Sequence, residues 1–144
     1  MPEFRYAKGR ILDSIRFISE EIKEFREEYA GKTWQEYEGD RKLQKLMDRT
    51  VENILTAIIE ACGSFLTEKG IPVDSYGEAL KKSGEILGFS ESEQELLFKM
   101  ALQRNRLAHR YLNFRWQAIK LYTENQGLIV RMITIFLDQE EKKI

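Results

Sequence analysis

Apolar residues recur at spacings of three and four along most of the chain, the interval that gathers them on one face of an α-helix. Ile11, Ile15, Ile18, Ile22 and Phe25 predict a first amphipathic helix over about residues 4–29. Ala30-Gly31 should close it, because glycine accepts the left-handed backbone past a helix end. A second, longer run carries Leu43, Leu46, Met47, Val51, Ile54, Ile58, Ala61, Cys62 and Phe65. Asp40 is placed to cap its start, and Gly70-Ile71-Pro72 to end it. A short third helix is expected over residues 76–87, broken by Gly88. Ser90-Glu91-Ser92-Glu93 has the spacing of a capping box, in which the serine and the glutamate each satisfy a backbone donor of the first turn. It opens a fourth helix through Leu96, Leu97, Met100 and Ala101 to about His109. The remainder reads as one kinked helix or two, with Trp116, Ile119 and Thr123 before Asn125-Gln126-Gly127 and Ile129, Met132, Ile133 and Phe136 after it. Residues 139–144 should fray. No segment alternates as a strand would.

Amphipathic helices joined by short connections predict an all-α fold, an up-and-down bundle of four to six helices in one domain over residues 1–144. That length suits a single core. The second helix is apolar over a broad arc that includes Leu55, Ile59 and Leu66, so it is expected to be central or to meet a second protomer. The single Cys62 excludes an intramolecular disulfide framework and a cysteine-based zinc site, and its apolar neighbours suit a buried, inert thiol. The charged start MPEFRYAKGR is unlike a secretory leader, and no window approaches a membrane-spanning run. A cytoplasmic chain without a membrane partner is the expectation.

Net charge is −1, which argues against strong, indiscriminate nucleic-acid binding. Its distribution is uneven. Between Leu96 and Thr123 lie Lys99, Arg104, Arg106, Arg110, Arg115 and Lys120 with no acid, leaving 17 basic against 24 acidic residues elsewhere. Such a stretch suits a phosphate-bearing partner and equally describes a solvated helix face. On a helix turning about 100° per residue, Arg104 falls within the apolar stripe of Leu97, Met100, Leu107 and Ala108. Tyr111 stacks near it, Asn105 and His109 share a neighbouring face, and Lys99, Arg106 and Arg110 point to solvent. A guanidinium in a hydrophobic seam needs a partner, because desolvating an unpaired charge is costly. Either a carboxylate such as Glu60 pairs with it, or the seam opens there into a polar cleft. Arginine, histidine, asparagine and tyrosine together suit phosphodiester chemistry without a metal. His109 is the chain's one histidine, a residue type that can take or donate a proton at working pH, and Arg104 offers phosphate a planar donor fork. No His or carboxylate cluster has metal-binding spacing, and no cofactor is called for. A symmetric dimer bringing two copies of His109 together would supply both an acid and a base.

The segment Arg104 to Tyr111 reads RNRLAHRY. It resembles the R-x4-H-x-Y signature of HEPN-domain proteins, most closely the HepT-like group. Ile58-Ile59-Glu60-Ala61 and Asp74-Ser75-Tyr76-Gly77-Glu78-Ala79-Leu80 are also similar to that group's text. The resemblance implies a helical homodimer with the signature facing a cleft at the interface, and a metal-independent endoribonuclease acting as the toxin of a toxin–antitoxin pair. By the same resemblance, Arg104 and His109 would be catalytic, Asn105 supporting, and Lys99, Arg106, Arg110 and Arg115 candidates for RNA contact. Its expected partner is a minimal nucleotidyltransferase antitoxin that silences it by transferring AMP to Tyr111. The alternative is a non-catalytic helical subunit that holds a nucleotide or a protein for such a nucleotidyltransferase.

Overall fold

Side-chain caps set where most of the helices begin. Thr33, Asp40, Ser75 and Ser90 each accept a hydrogen bond from the backbone N–H three residues on, at 3.0–3.2 Å, satisfying a donor that the first helical turn leaves free. In the computed structural model, which describes residues 11–143, these caps open four of six helices. The six are α1 (Ile11–Glu28), α2 (Trp34–Glu38), α3 (Arg41–Glu68), α4 (Tyr76–Ile86), α5 (Glu91–Arg106) and α6 (Leu112–Glu141). The described residues contain no strand, so the expected all-α bundle is what forms. The predicted start of the first helix at residues 4–10 lies outside the described residues, as does Ile144.

The long α3 is the axis of the fold and packs against each of the other five helices. Its broad apolar arc is spent inside the domain, where Val51, Ile54, Leu55, Ile58, Cys62 and Leu66 are fully buried. Around it, α1 contributes Ile15, Ile18, Ile22 and Phe25, and α6 contributes Ile119, Tyr122, Ile129, Met132 and Phe136. Phe25 and Tyr122 meet edge to face, with ring centroids 5.2 Å apart. Burial pushes the Cys62 thiol up to about 12, which keeps it protonated and inert, as its apolar surroundings suggested.

Four expectations change. Helix α2 was not anticipated, although the Thr33-x-x-Glu36 spacing marks it: Thr33 and Glu36 form a complete capping box. Gly31 does not take up the left-handed backbone; positive φ occurs at Gly70 and Gly88, while α1 ends through bonds from Tyr29 and Ala30 N–H to the Phe25 carbonyl. The last helix runs unbroken through Asn125-Gln126-Gly127. There the Tyr122 hydroxyl donates to buried Gln126 Oε1 at 2.6 Å, and one apolar stripe spans both halves. Finally, α5 stops at Arg106 and not near His109. Leu107, Ala108 and His109 N–H groups turn back onto the Gln103, Asn105 and Arg106 carbonyls in a tightening coil, and Leu107 is buried as its anchor.

Among the described residues no helix is long and apolar enough to cross a membrane.

Candidate functional site

Arg104 occupies the last turn of α5, beyond the buried Leu97, Met100 and Ala101. It is half-buried, and two elements hold it. Its Nε donates to the Thr56 hydroxyl of α3 at 2.8 Å, and its guanidinium carbon stands 5.5 Å from the centroid of the Tyr76 ring at the start of α4. No described carboxylate forms an ion pair with it. Glu60, the carboxylate suggested by the sequence, is exposed instead. A hydroxyl and a π face therefore orient the guanidinium without cancelling its charge. With Nε engaged, the two terminal nitrogens present the fork that matches phosphate oxygens.

The early end of α5 moves His109 and Tyr111 off the helical wheel and onto a loop, residues 107–111. Both are exposed. The Tyr111 backbone N–H donates to His109 Nδ1 at 3.2 Å, so a neutral ring carries its proton on Nε2. The two rings lie 4.8 Å apart, and Phe114, in the first turn of α6, contacts both. Arg110 lies over the Tyr111 ring, 5.3 Å from its centroid, with Nη2 3.5 Å from the Tyr111 hydroxyl. Asn105 and Arg106 are exposed on α5 just before this loop, and Arg106 reaches Gln117 at 3.5 Å. Lys99 is exposed two turns earlier, beside Glu95.

Arg115 departs from its expected role as a candidate RNA contact. It turns inward and pairs with Asp48 at 2.9 Å, their side chains 20% and 11% exposed. The Tyr37 hydroxyl of α2 donates to the other Asp48 oxygen at 2.6 Å. Burial pushes the Asp48 carboxyl up, against the opposing pull of Tyr37 and Arg115. Tyr37 in turn packs with Trp34 and Trp116, the three ring centroids 5.0–6.2 Å apart. This tie between α3 and the first turn of α6 fixes the far end of the His109–Tyr111 loop. The sequence did not single out Thr56 or Asp48. Each is one small polar residue in a helix, and only its partner, 48 or 67 residues away, makes it meaningful.

A separate groove of about 410 Å³ lies between α1 and α6, lined by residues such as Ile22, Arg26, Val130 and Ile133, none of them from the cluster above. Among the described residues no three His, Cys, Asp or Glu side chains converge as a metal site requires.

No curated protein matches the chain. The family model described as ribonuclease HepT-like matches residues 18–125, three quarters of the sequence, and takes in Thr56, Tyr76 and the whole run from Arg104 to Phe114. The chain thus belongs to the ribonuclease HepT-like family, of the HEPN type.

Proposed function

We propose that the chain is a metal-independent endoribonuclease in which Arg104 and His109 carry the chemistry. The observation that supports this best is a half-buried guanidinium braced by Thr56 and Tyr76 yet unneutralised by any described carboxylate. A fold that holds a charge this way without pairing it has prepared an anion site.

The reaction is attack of a ribose 2′-oxygen on the adjacent phosphorus with departure of the 5′-oxygen. Arg104 binds the phosphate oxygens and stabilises the charge that grows on them. His109 exchanges the proton. In its resting hydrogen bond the ring faces substrate as an Nε2–H donor; it serves as a base once the loop releases Nδ1 from the Tyr111 N–H. Asn105 positions these groups. Arg106, Arg110 and Lys99 draw in the RNA backbone. Because each chain has one histidine, a homodimer with the two loops facing one cleft supplies both roles: one neutral imidazole takes the 2′-proton, and the other, protonated at both nitrogens once Nδ1 is released, gives a proton to the departing 5′-oxygen.

In the cell the nuclease acts as the toxin of a pair and is silenced when a nucleotidyltransferase partner transfers AMP to Tyr111. Tyr111 is 50% exposed, as an acceptor must be. The added phosphate would fall beside Arg110 and occupy the anion site by charge as well as bulk.

The test is incubation of unmodified protein with RNA in EDTA, beside His109→Ala. Cleavage is expected from the parent and not from the variant; equal activity removes the assignment. The hydrogen bond on His109 Nδ1 also favours a second reading, a nucleotide-binding subunit that does not turn RNA over. Tight nucleotide binding by unmodified protein that leaves RNA intact would select it.

A further inference from the structure

His109, Tyr111 and Phe114 make a cluster of three rings at the surface. Their centroids lie 4.8, 4.8 and 5.8 Å apart, and Phe114 stands at 72° and 73° to the other two. Among the described residues the other ring contacts include a buried member, as in Phe25 with Tyr122, Phe65 with Phe136, and Tyr37 with Trp34 and Trp116; the part-buried Trp34 and Trp116 also meet each other, but both pack on buried Tyr37. This cluster has no such member, since Tyr111 is 50% and Phe114 is 37% exposed. Nothing in the core depends on them, yet both leave apolar area in water.

The charge around the rings selects what covers them. Arg110 lies against Tyr111, Arg106 closes α5 on one side of the loop, and neither forms an ion pair with a described carboxylate. A second copy of this chain docked ring against ring would bring like-charged arginines together, unless an anion lay between them. An acidic peptide would satisfy the arginines and give the rings nothing flat to stack on. Double-stranded nucleic acid carries the phosphates but hides its base faces in the helix. Single-stranded RNA supplies both, a phosphate at every step and an open π face on every base.

We infer that Phe114 and Tyr111 form a base-stacking subsite for an unpaired nucleotide of single-stranded RNA. Both rings contact His109, so the stacked base belongs to a nucleotide held against the imidazole. The inference rests on the ribonuclease reading for its ligand, but binding at the subsite does not require turnover.

The experiment uses full-length protein, shown by intact mass to carry no modification, and a short RNA with 2′-fluoro in place of the hydroxyl, which removes the attacking group. Dissociation constants are compared for the single strand, the same strand with abasic positions, and its duplex. Stacking of a base on an aromatic ring is worth about tenfold in affinity. The single strand should bind at least about that much more tightly than the other two. Phe114→Leu should lose this advantage for the base-bearing strand and nothing for the abasic one, with an unchanged salt slope because no charge is removed. Phe114→Tyr should restore it.

Equal binding of the three wild-type ligands overturns the inference, as does a loss in Phe114→Leu that is the same with and without bases. A Phe114→Leu change in sedimentation that leaves base dependence intact would assign the ring to contact between copies, and overturn it too. Base-dependent binding by a protein that leaves ordinary RNA intact would keep the subsite and discard the nuclease. Cleavage without base dependence would do the reverse.

Discussion

At the scale of single residues, the Thr56 hydroxyl does for Arg104 what a carboxylate does in most folds, with one difference: it orients the guanidinium and leaves its charge whole. Hydrogen bonds to charged groups contribute about 1.5–3 kcal/mol. Thr56→Val, which keeps the shape and removes the acceptor, should therefore lower RNA cleavage roughly tenfold or more. Thr56→Ser should retain most of it. Equal rates for the valine and serine variants would show that the bond does not position Arg104. Tyr111 carries a second prediction at this scale. Co-expression with a partner nucleotidyltransferase should add the mass of AMP to the chain, and Tyr111→Phe should abolish the addition, as read by intact-mass spectrometry. Arg104 was visible in the sequence because it interrupts an apolar stripe. Thr56 was not, because a threonine in an apolar helix looks the same whether or not an arginine reaches it. Arg115 was misassigned for a related reason: its place in the basic stretch shows its charge and says nothing of Asp48 on another helix.

At the scale of elements, the caps were readable and the helix ends less so. Asp40 and Ser90 begin α3 and α5 as their spacing indicated, because a cap is a contact between residues three apart. Glu93 completes the α5 cap by accepting from the Ser90 N–H and also meets Arg131 of α6. The Ser90 backbone first, then Arg131, holds its carboxyl below the ordinary value of 4.5. A lowered acid stabilises the fold above its unfolded value, and the contribution fades as pH falls through the folded one. Glu93→Gln should thus lower the melting temperature at neutral pH, and the gap to the parent should close below pH 4.5. A gap independent of pH would mean that the charge contributes nothing.

The packing of α4 on α5 gives a further test. A Cβ added at Gly77 would sit 2.7 Å from the Phe98 ring. Gly77→Ala should cost about 1–3 kcal/mol by urea denaturation, unless Phe98 is truncated with it. The end of α5 escaped the sequence because the apolar and basic pattern continues past Arg106 without a glycine or proline. Buried Leu107, pulling the chain inward, is what turns it.

At the scale of the whole molecule, the loop with His109 is held from both sides. Arg104 ties α5 to α3 and α4, and Arg115 ties α6 to α3 and, through Tyr37, to α2. Removing one partner of a buried ion pair leaves the other charge desolvated, at a cost of roughly 3 kcal/mol or more. Asp48→Asn should therefore destabilise the protein by about that amount in denaturant titration. A loss well below 1 kcal/mol would show that water reaches Arg115 and that the tie is dispensable.

The amino-acid sequence alone determined the helical class, most helix starts, the broad apolar arc of α3 and the eight-residue segment on which the family likeness rests. These are local properties, set by spacing along one chain and by contacts three or four residues long. Tertiary structure decided which cations remain outward and which is consumed inside, that a hydroxyl and not a carboxylate holds Arg104, and that His109 sits on a loop among exposed rings. Those outcomes depend on pairs such as Thr56 with Arg104 and Asp48 with Arg115. Contacts between distant positions leave no periodicity to read, and only the packed helices bring them within hydrogen-bonding reach.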